Sequence, residues 1–404
     1  MNVRNHMKKN LLLVAFFAGV LGAPLWGASK WEVIPSVHTW GGELDVGWRP
    51  VSLIPGRQTT FWVGGAGILQ FWSYFHDPAT GQALLSPNSS DASVTQLLGQ
   101  WFAGATQGLV AHLADKGYGG QPWASPDLIE LYGLYRGTVW GTLASGSYLA
   151  TSSQPDKNGY VQTAFLGGVD LNMLTKTNSH NLRQGFMAEA AWATAPRGIQ
   201  SVDVDYNRFT GTVKGFFPLW DSDPLRKDNQ FSVEGGLALA WDHLWGHRIP
   251  SEELQLIGGR ALGGFTGWVQ GVGGQVRGPD QGTFDGTDKF IGNVELRFNL
   301  PGLELPWLAQ DYFGLPTKSL FEGQVIPGFI TFYDYGYWNG LSGYTDGYVE
   351  SEGLGVFCKF WDLGTVAAYV ERWQAYWGNI GQNGIGTPFE SQNFAYTLSL
   401  GLQF

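Results

Sequence analysis

Residues 271–300, GVGGQVRGPDQGTFDGTDKFIGNVELRFNL, decide the fold that the sequence predicts. The stretch begins with a glycine-rich run, continues through Val-Arg-Gly at 276–278 and a polar loop, and ends in an alternating segment. The apolar residues of that segment share one parity and the polar residues the other: Val294, Leu296, Phe298 and Leu300 against Asn293, Glu295, Arg297 and Asn299. Because strand side chains alternate between two faces, one face suits lipid and the other a polar lumen. The pattern predicts a strand of a transmembrane antiparallel β-barrel.

The composition of the 404-residue chain agrees with that prediction. Only 14% of the residues are charged, against about 25% in ordinary soluble domains, whereas 15% are aromatic and 59 residues are glycine. Beyond the N-terminus, no run of about 18 apolar residues could form a membrane helix. These features favour an all-β transmembrane barrel over a helical membrane protein. On composition alone, a large β-sandwich or a soluble propeller stays open.

The N-terminus has the organisation of a secretory signal peptide. Three basic side chains precede an apolar stretch at 11–21, and small residues at 27 and 29 suit cleavage. We therefore expect a signal peptide at 1–29 and a transmembrane barrel domain at 30–404, exported to the outer membrane of a diderm bacterium. The formal net charge of -10 argues against a nucleic-acid partner.

Further segments alternate over about 10 residues, the length that crosses a bilayer at a tilt. They lie at 160–172, 186–192 and 231–241. The apolar parity changes near 207–209, which predicts a bulge or a strand end there. Residues 51–150 can be divided into strands in several ways. Stretches rich in glycine, proline and small polar residues predict loops at 77–92, 118–126 and 302–323.

The C-terminal segment also alternates and ends on an aromatic residue. Tyr396, Leu398, Leu400, Leu402 and Phe404 share one parity. A last strand that stops at a terminal phenylalanine is similar to the outer-membrane assembly signal of diderm bacteria, so Phe404 and Tyr396 are predicted to serve as that signal. The alternative is an edge strand of a soluble domain, although an exposed apolar edge promotes aggregation.

Several motifs, in this order along the chain, resemble those of the outer-membrane insertases and two-partner secretion transporters, a superfamily that includes the BamA, TamA and FhaC types. They are Val-Arg-Gly at 276–278, Glu-Leu-Arg-Phe at 295–298, Phe-Tyr-Asp at 332–334 and the terminal phenylalanine. The resemblance implies sixteen strands and one long extracellular loop folded into the lumen. It also implies that Arg277 is the loop-tip arginine and that Glu295 and Asp334 are the strand acids that anchor it.

One position at the loop tip departs from the family pattern. Pro279 stands where phenylalanine or tyrosine normally follows Arg-Gly. The tip, formed by Val276, Arg277, Gly278 and Pro279, is therefore expected to lack that aromatic contact.

Physical chemistry independently supports an anchor at Arg277. A guanidinium is a planar fork that can bridge two carboxylates through charge-assisted hydrogen bonds. Glu295 shares the polar parity of its strand, and Asp334 must also face inward because a carboxylate in lipid is costly. The alternative is that all three are ordinary solvated charges of the lumen.

No motif predicts catalysis, cofactor binding or a metal site. Asp242, His243 and His247 could suggest a metal site, but they lie at a strand end beside Trp245, where an interface or loop histidine is the simpler interpretation. No acid–His or Ser–His pair indicates hydrolysis, and the glycine pairs lack the context of a phosphate loop. The chain is therefore not expected to be an enzyme.

The resemblance implies a role in protein insertion or export. The mechanism would use a weak seam between the first and last strands, where an incoming strand pairs by β-augmentation. Pro35 would weaken that seam because proline lacks a backbone donor. The first strand-like segment begins at about residue 31, so we expect a barrel-only member without periplasmic POTRA domains.

The expected partners follow from that role. They are the outer-membrane bilayer, lipopolysaccharide or another outer-leaflet lipid, the barrel assembly machinery, and client outer-membrane or secreted polypeptides. The alternative function is that of a passive diffusion channel or a structural barrel.

Overall fold

The computed structural model shows a chain built almost entirely of antiparallel strands. It describes residues 31–38, 41–73, 93–111, 127–142, 158–176, 183–222, 231–257, 276–279, 284–305, 324–339, 347–360, 364–377 and 387–400. The predicted signal peptide, the predicted loops at 77–92 and 118–126, and Phe404 lie outside these residues.

The described elements are eighteen strands and two short helical turns. In chain order the strands are β1 (Trp31–His38), β2 (Gly41–Trp48), β3 (Thr59–Ser73), β4 (Ser93–Val110), β5 (Ile129–Thr142), β6 (Gly159–Asn172), β7 (Thr175–Lys176), β8 (Arg183–Ala195), β9 (Tyr206–Asp221), β10 (Ser232–Trp245), β11 (Gln255–Ile257), β12 (Phe284–Asp285), β13 (Asp288–Asn299), β14 (Leu303–Glu304), β15 (Gln324–Asn339), β16 (Gly347–Phe360), β17 (Gly364–Trp377) and β18 (Thr387–Leu400). A 3-10 turn spans Arg197–Ile199, and the helical turn α1 spans Ser251–Leu254.

One antiparallel sheet contains sixteen of the described strands. Fourteen long strands follow one another in the order β1-β2-β3-β4-β5-β6-β8-β9-β10-β13-β15-β16-β17-β18. The two-residue strands β7 and β14 pair beside β8 and β15, and β11 pairs with β12 in a separate two-stranded sheet. The predicted all-β antiparallel fold is confirmed. The number of strands that cross a membrane stays a prediction, because two of the sixteen are too short to do so.

The two faces of the sheet differ as the sequence predicts. In β13, Val294 is 50% exposed and Leu296 is 36% exposed, whereas Asn293 and Glu295 are 0% and 1% exposed. The same alternation holds in β6 and β10, where Val161, Phe165, Leu237 and Trp241 are exposed. We call the face that carries Asn293 and Glu295 the inner face. The outer face is suited to lipid, since its exposed side chains are largely apolar.

The ends of the sheet are β1 and β18. Within the described residues, β1 pairs only with β2 and β18 only with β17, so closure through a β1–β18 ladder stays a prediction. Pro35 is paired with Leu44 in the end strand β1, where a missing backbone donor is tolerated. No helix in the described ranges is long and apolar enough to cross a membrane.

The irregular point predicted near 207–209 is a strand end. Strand β9 begins at Tyr206, after the 3-10 turn, so the apolar parity of the preceding residues belongs to a connection and not to the strand. The predicted loop at 302–323 includes the short strand β14, whose Leu303 and Glu304 pair with Val325 and Gln324.

Candidate functional site

Two adjacent strands bring the predicted acids together on the inner face. Strand β13 pairs with β15, and the register places Asn293 opposite Asp334 and Glu295 opposite Phe332. Asp334 and Glu295 therefore lie on a diagonal of the ladder, within reach of one long side chain. Both are buried, so their charges require a partner.

Arg277 is that partner. Its Nε donates to Oδ2 of Asp334 at 2.8 Å, and its Nη2 donates to Oδ1 of the same carboxylate at 2.8 Å. Its Nη1 donates to Oε2 of Glu295 at 3.1 Å. The backbone N–H of Arg277 also donates to Oδ2 of Asp334, at 2.9 Å. A two-pronged contact of this kind fixes the direction of the guanidinium as well as its position.

The strands also supply the aromatic surroundings of this arginine. Cζ of Arg277 lies 3.4 Å from the ring centroid of Phe332 and 5.5 Å from that of Tyr369. Those two rings meet edge to face with centroids 5.7 Å apart. Pro279, where the family pattern has an aromatic residue, is itself buried. The rings beside Arg277 thus belong to the inner face, and cation–π attraction adds to the ion pairs.

Gly278 and Val276 seat the loop tip against the inner face. Gly278 has φ +106°, and a Cβ there would lie 2.6 Å from Cδ1 of Trp373 in β17. Only glycine combines that backbone conformation with such close approach. Val276 is fully buried in an apolar cluster that comprises Ala240, Ile291, Trp338, Val349, Trp373 and Ala375. The tip is therefore packed as well as ion-paired.

Neighbouring polar groups complete this site, which we call the arginine anchor. Asn293 donates from Nδ2 to Oδ1 of Asp334 at 2.9 Å. Arg297 donates from Nε to Oε1 of Glu295 at 2.5 Å and lies 3.8 Å from Glu234. Every carboxylate that contacts Arg277 thus has a second hydrogen-bond donor. A second donor on each carboxylate helps a buried polar network to stabilise one arrangement.

Sequence reasoning missed a second ionic cluster, centred on Glu253 in α1. Arg208 donates from Nη1 to Oε2 of Glu253 at 2.6 Å, and from Nη2 to the backbone carbonyl of Glu253 at 2.7 Å. Oε1 accepts from Tyr206 at 3.1 Å and from Gln162 at 3.0 Å. Nη2 of Arg136 lies 3.6 Å from the same oxygen. We call this group the glutamate anchor.

Two further charges surround the glutamate anchor. Asp242 forms ion pairs with Arg208 and with Lys289, each at 3.0 Å. Nζ of Lys289 also donates to the carbonyl of Leu254 at 3.2 Å. Burial alone would raise the pKa of Glu253, but the charges of Arg208 and Arg136 outweigh it and lower the pKa below the usual glutamate value. Glu253 is therefore ionised at neutral pH.

A faint signal for the glutamate anchor was present in the sequence. Glu253 lies one residue after Glu252 in Pro-Ser-Glu-Glu at 250–253, the pattern of a short helical turn. Its partners Arg136 and Arg208 lie where strand parity was uncertain, in the undivided stretch 51–150 and at the irregular point 207–209. Inward-facing arginines become evident only once those strands are placed.

Asp242 and His243, which the sequence analysis considered for a metal site, lie on different faces of the sheet. Asp242 faces inward, whereas Nδ1 of His243 contacts Oδ1 of Asp288 at 2.5 Å and its ring stacks on Trp241 and Trp245. Neighbouring strand residues point to opposite faces, so Asp242 and His243 cannot share a ligand. Among the described residues, no group of three or more His, Cys, Asp or Glu side chains could hold a metal ion. Tyr396, the described residue of the predicted assembly signal, is 78% exposed.

The comparisons with known proteins find similar solved structures but no similar sequences. No protein-family model matches the chain, and no curated protein sequence matches it. The crystal structure of BamA from Haemophilus ducreyi lacking POTRA domains 1-3 is similar, with TM-score 0.44 and 12% identity, over 91% of this chain and 64% of that one. A bacterial polysaccharide outer membrane secretin is similar with TM-score 0.31 and 11% identity, over 89% of this chain and 88% of that one. This chain therefore spans less than two thirds of that BamA chain.

Proposed function

We propose that this protein is an integral outer-membrane β-barrel of the insertase and translocator type, which inserts or exports other polypeptides without covalent chemistry. The observation that carries the proposal is the fork of Arg277 on Asp334 and Glu295, buried on the inner face. A loop tip held this firmly must occupy one position in the interior. A loop held in the lumen by an arginine on two strand acids is also what the sequence resemblance to insertases and translocators implies, which supports the proposal.

The proposed mechanism uses the two end strands of the sheet. Their outer edges carry backbone donors and acceptors that an incoming strand can pair with by β-augmentation. Pro35 removes one donor from β1, so a native ladder there would be weaker and easier to replace. The arginine anchor would hold the loop while that edge exchanges partners.

The surroundings proposed for this activity follow from the faces of the sheet. The apolar outer face suits the outer-membrane bilayer, including lipopolysaccharide or another outer-leaflet lipid. Delivery through a signal peptide and assembly by the barrel assembly machinery through Tyr396 and Phe404 are parts of the same proposal. The clients would be outer-membrane or secreted polypeptides.

An insertion assay in lipid vesicles tests the proposal. The purified protein is reconstituted, a urea-denatured model barrel is added, and the folding rate of that client is measured together with conductance across a planar bilayer. We expect the wild type to accelerate client folding and Arg277→Glu to lose the acceleration.

The matched control is Arg197→Glu, the same charge change at an arginine that is 57% exposed and paired with the surface residue Asp203. This control should keep the acceleration. A steady open pore with no acceleration by the wild type would instead establish a passive diffusion channel and overturn the proposal.

A further inference from the structure

The connection between β10 and β13 carries both anchors. It leaves β10 after Trp245 and enters β13 at Asp288. Glu253 lies near its start and Arg277 nearer its end. The strands β11 and β12 pair Gln255 with Asp285, which joins the two flanks of the connection at its base. The described parts of this connection are thus one loop with two separate ionic contacts to the inner face.

The two contacts have opposite polarity. At the glutamate anchor the loop provides the carboxylate, and the strands provide the cations of Arg136 and Arg208. At the arginine anchor the loop provides the guanidinium, and the strands provide the carboxylates of Glu295 and Asp334. If the loop docked with its ends exchanged, like charges would meet in both buried sites, which is strongly unfavourable.

The glutamate anchor also reaches strands that the arginine anchor does not. Its side-chain partners belong to β5, β6 and β9, and its backbone carbonyls are contacted by Lys289 of β13. The arginine anchor contacts β13 and β15 and packs against Trp373 of β17. Together the two anchors connect the loop to the strands β5, β6, β9, β13, β15 and β17.

We propose that Glu253 is a positioning residue that pins the first part of the loop independently of Arg277. This inference deepens the proposed function, because it concerns the loop on which that function rests. Glu253 touches no client in this scheme; it acts by fixing where α1 lies.

Thiol accessibility at two reporter positions tests the inference without any insertion assay. Cys358 is the single cysteine and is replaced by serine. A reporter cysteine is then placed at Leu254 or at Val276, both of which are buried. The folded protein in lipid vesicles is treated with a membrane-impermeant maleimide, and the labelling rate is compared between variants.

Glu253→Gln removes the charge of the glutamate anchor. The labelling rate at the 254 reporter should then rise about tenfold or more, because hydrogen bonds to a charged group are lost. The rate at the 276 reporter should stay near its starting value. Arg277→Gln should give the reverse pattern. Arg197→Gln is the matched control: Arg197 is 57% exposed beside Asp203 in the connection between β8 and β9, and its loss should change neither rate.

A milder variant serves if Glu253→Gln fails to assemble. Tyr206→Phe removes only the hydroxyl that donates to Glu253, and it should raise the rate at the 254 reporter about threefold. The inference is overturned if neither variant changes that rate, or if Arg277→Gln alone releases both reporters. Either result leaves the proposed insertion activity open, because the labelling experiment measures loop position and not client folding.

Discussion

The two anchors of the β10–β13 connection both hold the loop against the inner face, but their ionic contacts are arranged differently. The arginine anchor concentrates its contacts: one guanidinium, two carboxylates on neighbouring strands, and rings directly beside the charge. The glutamate anchor spreads them: one carboxylate accepts hydrogen bonds from two strands and forms an ion pair with a third, and the helical turn that carries it is also bonded through its carbonyls. The concentrated contact fixes the orientation of the Arg277 side chain, whereas the dispersed contact connects one loop residue to several strands of the sheet.

The two anchors differ in which buried charges keep a partner after a single substitution. Removal of the Arg277 side chain takes the ion-pair partner from the buried carboxylate of Asp334, whereas Glu295 keeps Arg297 beside it. Removal of Glu253 leaves Arg208 with Asp242 still beside it, at 3.0 Å. We therefore expect the arginine anchor to be the more sensitive of the two to a single substitution.

Arg277→Glu should have the largest effect. It would place three acids together in a buried site, with an expected loss of about 3–5 kcal/mol in the free energy of unfolding. Urea titration of the protein folded in vesicles measures that loss. Planar-bilayer recordings should show larger or noisier openings than the wild type, and unchanged conductance would show that the tip does not occupy the interior.

Gly278→Ala should come next. Its backbone at φ +106° and the contact with Trp373 both oppose a Cβ, so we expect a loss of about 2–4 kcal/mol. Gly56→Ala is the matched control, because Gly56 also has positive φ, at +73°, but no atom lies within 4 Å of its Cβ position. Equal losses in the two variants would mean that the Trp373 contact adds nothing.

The glutamate anchor should show a pH dependence of intermediate size. Because the pKa of Glu253 is lowered on folding, its stabilisation is present above the ordinary value of 4.5 and is lost as the pH falls through the lower folded value. The unfolding free energy of the wild type should exceed that of Glu253→Gln by about 1.5–3 kcal/mol at pH 7, and this difference should shrink below pH 4.5. A difference that is constant from pH 7 to pH 3 would contradict an ionised Glu253.

The exposed pair Arg197–Asp203 should show the smallest effect. It lies in the connection between β8 and β9, outside the strands, and its side chains are 57% and 39% exposed. Arg197→Gln should therefore change the unfolding free energy by less than about 0.5 kcal/mol. A loss comparable with that of Glu253→Gln would remove the distinction between buried anchors and surface pairs.

The arginine anchor was accessible to sequence reasoning because its signals are local. Glu295 lies in a strand of clean alternation, which fixes its face, and Asp334 lies in the next long strand. Two neighbouring antiparallel strands with known parity leave little freedom in where their side chains point. The family resemblance then supplied the loop residue that joins them.

The glutamate anchor was not accessible in this way, because its parts come from distant segments. Arg136 and Glu253 are separated by more than 100 positions, and no spacing in the chain encodes their contact. The strands β3, β4 and β5 resisted division because they are long, up to 18 residues in β4, and are interrupted by glycines that blur the alternation. The aromatic rings beside Arg277 were missed for a related reason, because they belong to Phe332 and Tyr369 of the strands and not to the loop tip.

A double-mutant cycle between Arg277 and Asp334 tests the central claim most directly. The unfolding free energies of Arg277→Gln, Asp334→Asn and the double variant are measured by urea titration in vesicles. The arrangement of two short hydrogen bonds between these side chains predicts a coupling energy of at least about 1.5 kcal/mol. Single effects that add to within about 0.5 kcal/mol would show that the two side chains act independently, and the loop would then not be held by this contact.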